Sequence, residues 1–111
     1  MLPQILFTLT ALGGAVVASF PLLRGVRPPL WLALGHGGVA VAGFAALLYA
    51  MMTVGITGLA QAALGVLLLA ALGGATLFLG FHLQNKALPK PLVIGHALIA
   101  LIGVVMLWLG R

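Results

Sequence analysis

The chain has 111 residues, of which 64% are apolar and 5% are charged, and its mean hydropathy is +1.34. Five Lys and Arg residues are accompanied by no Asp or Glu, so the formal net charge is +5, and there is no Cys. Soluble domains carry roughly 25% charged residues. The composition therefore excludes a soluble globular protein, and the missing cysteines exclude disulfides, thiolate chemistry and Cys-ligated zinc or iron–sulfur clusters.

Four apolar stretches follow one another, each near the roughly 20 residues that cross a hydrocarbon core of about 30 Å. Pro29 and Pro89 lie near the starts of the second and fourth stretches, where a missing N–H costs little. Thr57 and Gly58 mark the start of the third. The first stretch resembles a signal peptide, but no basic residues precede it, so we expect a retained helix. The sequence predicts an all-α, single membrane domain over residues 1–111, with helices at about 3–23, 29–52, 58–83 and 90–110.

The chain repeats itself with an offset of 60 residues. Residues 11–15 and 71–75 both read Ala-Leu-Gly-Gly-Ala, and Gly35-His36 recurs as Gly95-His96. An ungapped shift of 60 gives 14 identities over 51 positions, more than a chain rich in Leu, Ala and Gly gives by chance. We therefore predict a transmembrane four-helix bundle built from two parallel two-helix repeats, residues 1–51 and 61–111, related by a pseudo-two-fold axis along the membrane normal.

The basic residues predict the orientation in the membrane. Arg24 and Arg27 lie in the first loop, Lys86 and Lys90 lie in the third, and only Arg111 lies on the other side. Because positive charge accumulates in cytoplasmic loops, we expect loops 1 and 3 in the cytoplasm and both termini outside, in a bacterial inner membrane. Anchoring to lipid headgroups explains four charges at one interface, so nucleic-acid binding is not expected.

Two of the three histidines occupy equivalent positions in the repeats. His36 follows Pro29 by seven residues and His96 follows Pro89 by seven, which places each about 10 Å inside its helix from the cytoplasmic end. Consecutive helices of a bundle with short loops are neighbours, so helices 2 and 4 are predicted to be diagonal. The two imidazoles are therefore expected to face each other across the bundle axis at one depth.

Each of these histidines begins a stripe with the pattern His-x3-Ala-x2-Gly-x3-Leu, whose members fall on one helical face. Helices 1 and 3 place a glycine pair at the same depth, which leaves room for a flat ligand. Small residues in membrane helices also serve close packing, and a structural histidine pair joined by a mutual hydrogen bond is an alternative interpretation. The small residues predicted to line a cofactor site are Gly13, Gly14, Gly73, Gly74, Ala40, Gly43, Ala100 and Gly103.

Two facing imidazoles in a narrow-walled bundle suit the axial positions of a haem, and polar groups at membrane depth tend to be functional. We therefore predict haem b, with His36 and His96 as the iron ligands. Zinc is less suited because it needs three or four close ligands and no Asp, Glu or Cys is available. Another metal or a quinone contact is the remaining alternative. The cations expected to pair with the haem propionates at the cytoplasmic face are Arg24, Arg27, Lys86 and Lys90.

His82 has no histidine counterpart, since the equivalent residue of the first repeat is Leu22. It lies at the cytoplasmic end of helix 3, near Lys86. We expect an interfacial histidine whose side chain reaches the headgroup region. A hydrogen bond to a haem propionate, or proton transfer to a quinone-like substrate, is the alternative.

In architecture, the whole chain resembles the cytochrome b561-like proteins, in which a four-helix transmembrane core holds b haem between histidines of parallel-repeat helices. The Gly-His pairs and the His-x3-Ala-x2-Gly stripes also resemble small bacterial four-helix transmembrane b-type cytochromes. The b561 plan uses two haems and four histidines, whereas this chain offers one pair, His36 and His96. The resemblance implies electron transfer at the cytoplasmic side, with a quinone or a reactive oxygen species as redox partner.

The sequence therefore supports two functions. The first is electron transfer by a haem b-binding membrane protein, with quinone- or oxygen-species-linked oxidoreductase activity left open. The second is a non-catalytic membrane anchor or assembly subunit of a larger complex, with a structural histidine pair. A small multidrug transporter is disfavoured because there is no intramembrane carboxylate. The expected partners are the lipid bilayer, a quinone or redox protein, and further copies of the chain in a homo-oligomer.

Overall fold

The computed structural model describes all 111 residues as four helices joined by short loops, with 83% of the residues helical and no strands. Each helix is long and apolar enough to cross a membrane, and the molecule measures 43 × 22 × 20 Å. The predicted all-α fold and the four predicted helices are confirmed. The elements are α1 (Leu2–Ser19, extended by a π-helical turn over Phe20–Arg24), α2 (Leu30–Thr53), α3 (Gly58–Leu77, extended by a π-helical turn over Phe78–His82) and α4 (Lys90–Leu109).

Local sequence determines where the helices begin and end. Pro29 precedes α2 with a ψ of 142°, outside the helical region. The side-chain oxygen of Thr57 accepts a hydrogen bond from the backbone N–H of Ala60 at 3.1 Å, which satisfies one of the free donors at the start of α3. Gly25 follows α1 with a φ of 65°, a left-handed conformation that glycine adopts without steric penalty. The proline and threonine start signals read from the sequence are thus found in the structure.

The loop between α1 and α2 and the loop between α3 and α4 lie at the same end of the bundle. One guanidinium nitrogen of Arg27 donates hydrogen bonds to the backbone oxygen of His82 at 3.2 Å and to Oδ1 of Asn85 at 2.9 Å. We call this the basic end, defined by residues 24–29 and 83–90. At the opposite end, the hydroxyl of Thr57 donates to the backbone oxygen of Gly110 at 2.6 Å. We call this the terminal end, defined by residues 54–57 and the two chain ends.

Helix packing is closest within each repeat. α1 packs against α2 and α3 packs against α4, while α1 also packs against α4. α2 and α3 contact each other little, so the prediction that all consecutive helices are neighbours is wrong for this pair. A hydrogen bond is present on one side only: Nε1 of Trp108 on α4 donates to Oγ1 of Thr8 on α1 at 2.8 Å. The equivalent residues on α2 and α3, Leu48 and Leu68, have no polar groups to form such a bond.

The buried core lies toward the terminal end. Leu47 and Leu107, the equivalent leucines of the two stripes, are only 1% and 0% exposed. Their burial shows that both stripes face the interior of the bundle. The other members of this core cluster come from α1, α3 and α4, and they are Phe7, Ala60, Ala63, Leu67 and Val104.

Candidate functional site

The structure brings His36 and His96 together between α2 and α4. Their ring centroids are 6.4 Å apart and their ring planes are inclined at 85°. Both residues are half-buried and lie on the same helical faces as Leu47 and Leu107. The duplicated histidines therefore meet inside the bundle, on the side of the core that faces the basic end.

Each imidazole is held by the same hydrogen bond in its own repeat. Nδ1 of His36 lies 2.9 Å from the backbone oxygen of Thr10, and Nδ1 of His96 lies 2.7 Å from that of Ala70. A carbonyl oxygen only accepts, so Nδ1 carries the proton and donates in both rings. Nε2 is then left with a free lone pair, which is the arrangement of histidines that bind metals through Nε2.

The separation of the rings distinguishes a hydrogen bond between the two histidines from a spacing that suits a metal ion between them. A five-membered ring with bonds of about 1.33 Å holds its nitrogens roughly 1.1 Å from its centroid. Rings whose centroids are 6.4 Å apart therefore keep their nitrogens at least about 4 Å apart. A hydrogen bond needs about 2.7–3.2 Å, so the two histidines are not bonded to each other. Two metal–imidazole bonds of about 2.0 Å placed in line span about 4 Å, which equals the smallest nitrogen–nitrogen separation that these centroids allow.

The glycine pairs of α1 and α3 lie against the imidazoles. A Cβ placed on Gly14 would lie 2.8 Å from Cε1 of His36, and one placed on Gly74 would lie 3.0 Å from Cε1 of His96. The neighbouring glycines leave more space. A Cβ placed on Gly13 would lie 4.0 Å from His36, and one placed on Gly73 would lie 3.7 Å from His96. The space at Gly14 and Gly74 is thus taken up by the histidine rings. These two glycines make room for the imidazole rings, and their predicted role in making room for a porphyrin stays a prediction.

The remaining small residues of the stripes lie beside the core. Gly43 is buried under the ring of Phe7, to which an added Cβ would approach within 3.1 Å. Gly103 is buried under Leu67, the repeat equivalent of Phe7, and an added Cβ would lie 2.7 Å from the Leu67 side chain. These two glycines therefore permit close helix packing. Ala40 and Ala100, one turn nearer the histidines, are half-buried.

A groove of about 250 Å³ on the surface of α1 and α2 leads to His36. It is lined by Leu9, Gly13, Trp31 and Gly35, among others, and the missing side chains of the two glycines help to open it. A ligand could therefore approach His36 from outside the bundle through this groove.

The four predicted propionate partners lie at the basic end, and all four are exposed. The guanidinium of Arg24 lies over the ring of Phe20, 5.2 Å from its centroid. Arg27 is engaged in the bonds to His82 and Asn85 that join the two loops. Lys86 and Lys90 are free of side-chain bonds of the kind that Arg27 forms. Their pairing with a cofactor stays a prediction.

His82 lies at the basic end, in the π-helical turn that ends α3. The residue is only 9% exposed, and its ring lies 5.5 Å from the ring of Phe78. That its side chain reaches the headgroup region stays a prediction. His82 does not join His36 and His96 in a cluster of three histidines.

The carbonyls of Thr10 and Ala70 are hydrogen-bond acceptors for the two histidines that the sequence analysis missed. Each lies on the residue 26 positions before its histidine, so the equal spacing in the two repeats was a signal that was available. A backbone acceptor, however, carries no residue type that would mark it. Comparison with known proteins adds nothing to the geometry, since no family model, curated protein or solved structure matches the chain.

Proposed function

We propose that this protein is an integral membrane b-type cytochrome that binds one haem b between α2 and α4 and transfers electrons. The observation that carries the proposal is the matched pair of Nδ1 hydrogen bonds, which leaves Nε2 of each imidazole free to bind a metal. The 6.4 Å separation of the ring centroids also supports it, because the smallest nitrogen–nitrogen separation that it allows equals two metal–nitrogen bonds in line.

The residues of the site would each have a defined role. His36 and His96 would hold the iron, and the carbonyls of Thr10 and Ala70 would keep the rings in place. The exposed cations of the basic end offer propionate carboxylates both water and opposite charge. When bound, haem b supplies reversible exchange of one electron at its iron.

The supply of histidines argues for a single haem. The chain has three histidines, and none lies near the terminal end, where the core around Leu47 and Leu107 borders a cavity of about 550 Å³. Electrons would therefore enter and leave near the basic end. We propose a quinone or a redox protein as the partner, since either can approach this side of the bilayer.

We also propose that the basic end lies in the cytoplasm of a bacterium, following the bias of positive loops. Single cysteines report orientation directly because the chain has none. An impermeant maleimide applied to intact spheroplasts should label Val54→Cys at the terminal end and should label Lys86→Cys only after lysis. The opposite pattern would show that the orientation is inverted.

An absorption spectrum tests the proposal. The full chain would be expressed with an adequate haem supply, purified in mild detergent and examined before and after reduction with dithionite. We expect a red protein with a Soret band, sharpened visible bands on reduction and one haem per chain. A protein that stays colourless after incubation with haem would overturn the proposal.

One observation favours a second function, that of a membrane anchor or assembly subunit. Each Nδ1 hydrogen bond joins two helices of one repeat and needs no cofactor to do so. Such a tie between α1 and α2, and between α3 and α4, would stabilise a purely structural protein. The same spectrum separates the two functions, because the anchor would be colourless.

A further inference from the structure

The cavity of about 550 Å³ at the terminal end is walled by residues of all four helices. Its wall is largely apolar, but it includes the polar side chains of Gln4, Thr57 and Arg111. The hydroxyl of Thr57 is already engaged in two hydrogen bonds within the protein. Gln4 and Arg111 are therefore the groups that a ligand in this cavity would meet.

Gln4 supplies a hydrogen-bond acceptor that the protein leaves unused. Its side chain is 8% exposed, and its Oε1 is buried without a hydrogen-bond partner. The equivalent residue of the second repeat is Leu64, so the repeat does not require a polar group at this position. The last torsion of a glutamine side chain is soft, so the carboxamide can turn this oxygen toward the cavity. A hydroxyl group of a ligand would then remove the cost of burying it unpaired.

Arg111 supplies a positioned cation at the same cavity. Its guanidinium lies 5.7 Å from the centroid of the Trp108 ring, and that ring is itself fixed by the hydrogen bond from its Nε1 to Thr8. The chain has no Asp or Glu side chain that could neutralise the guanidinium. A guanidinium binds phosphate through two parallel hydrogen bonds, so charge complementarity favours a ligand that carries a phosphate.

The helix packing indicates that this phosphate belongs to a lipid. Leu47 of α2 and Ala60 of α3 both line the cavity, and these two helices contact each other little. An acyl chain attached to a head group in the cavity can therefore pass between α2 and α3 into the bilayer. The cavity also lies at the end of the bundle, at the level where lipid head groups meet a membrane protein.

We propose that this cavity binds the head group of an anionic phospholipid that carries a free hydroxyl. The phosphate accepts hydrogen bonds from the guanidinium of Arg111, and the hydroxyl donates to Oε1 of Gln4. The site is separate from the His36 and His96 pair, so the proposal does not depend on haem binding. A free phosphate ester of glycerol has the same two groups, so the experiment must include it.

Thermal unfolding of the full chain in dodecyl maltoside tests the proposal, because a ligand that binds the folded state raises the unfolding temperature. The probes are phosphatidylglycerol, phosphatidic acid with the same acyl chains, which lacks the head-group hydroxyls, and glycerol 3-phosphate. We expect phosphatidylglycerol to reach its half-maximal effect at a concentration about fivefold or more below that of phosphatidic acid. Glycerol 3-phosphate should have little effect at the same concentrations.

Variants assign this preference to the cavity. Gln4→Leu should abolish the preference for phosphatidylglycerol over phosphatidic acid, although without lipid it should unfold at a higher temperature than the wild-type chain. Arg111→Gln should reduce the affinity for phosphatidylglycerol by about fivefold or more, and Arg111→Lys should retain part of it. Gln61→Leu, at an exposed position, is the matched control and should leave the preference unchanged.

An unchanged preference in Gln4→Leu, or no preference in the wild-type chain, would overturn the proposal. An equal effect of glycerol 3-phosphate would overturn it in favour of a site for a free phosphate ester. If Gln4→Leu does not fold, as judged by circular dichroism, Gln4→Met and the cavity-filling variant Ala50→Leu decide the matter through the same preference.

Discussion

Gly14 lies so close to the ring of His36 that one carbon atom added to Gly14 would disturb their contact. A Cβ on Gly14 would lie 2.8 Å from Cε1 of His36, a distance that real Cβ atoms essentially never show. The ring has little freedom to move away, because its Nδ1 donates to the backbone oxygen of Thr10. The same relationship recurs between Gly74 and His96 at 3.0 Å. Gly14 and Gly74 therefore control the positions of the proposed ligands.

We expect Gly14→Ala to weaken haem binding on the order of tenfold, because the displaced ring loses its alignment with His96 at a cost of about 1–3 kcal/mol. Gly14→Leu should weaken it further, and Gly74→Ala should act in the same direction. Haem titration of the apo-protein measures the effect. Circular dichroism should show that the helices still form in all three variants, since Ala and Leu both favour helix more than Gly does.

Gly13→Ala is the matched control for this experiment. Its Cβ would lie 4.0 Å from Nδ1 of His36, an ordinary contact, so haem binding should be unaffected. Equal losses of haem affinity in Gly13→Ala and Gly14→Ala would show that the substitutions act on α1 as a whole and not on the position of the His36 ring.

The hydrogen bond between Trp108 and Thr8 should contribute to the packing of α1 against α4. We expect Trp108→Phe and Thr8→Val each to lower the free energy of unfolding, and the double variant to lose less than the sum. The coupling free energy should be about 0.5–1.5 kcal/mol. Unfolding of the four proteins in one detergent measures it, and additive losses would mean that the bond contributes nothing.

Gln4 should be a site where an apolar residue stabilises the fold. Its side chain is 8% exposed and its Oε1 is buried without a partner, whereas the equivalent residue of the second repeat is Leu64. We expect Gln4→Leu to raise the free energy of unfolding by about 1–3 kcal/mol, because the uncompensated burial of the amide is removed.

Gln61→Leu provides the control for Gln4, since Gln61 is exposed. Its effect on the free energy of unfolding should stay within about 0.5 kcal/mol. A loss of stability in Gln4→Leu would instead show that the carboxamide binds a group, such as an ordered water, that its burial makes important.

The parts of this structure that follow from periodic features were predictable from the sequence. Hydropathy places the four helices, and Pro29 and Thr57 mark where two of them start. The 60-residue repeat places His36 and His96 at one depth, because a duplicated residue with duplicated surroundings occupies an equivalent position.

The unpredicted features depend on single contacts or on a change of helical spacing. α1 packs on α4 more closely than α2 packs on α3, and the first contact includes a side-chain hydrogen bond, at Trp108, that the repeat does not copy. The low exposure of His82 accompanies a π-helical turn, for which Phe78–His82 carry no recognisable signal. The acceptors for His36 and His96 are backbone oxygens, which every residue possesses.

The central claim is that His36 and His96 bind one haem iron from opposite sides. Low-temperature electron paramagnetic resonance of the oxidised protein tests it most directly, with His36→Ala, His96→Ala and His82→Ala compared under the same conditions. We predict a low-spin ferric signal from the wild-type chain and from His82→Ala. Either of the other two variants should lose it or convert it to high spin, and added imidazole should restore it by filling the vacated position. A low-spin signal that survives in His36→Ala or His96→Ala without imidazole, or one that disappears in His82→Ala, would contradict the account.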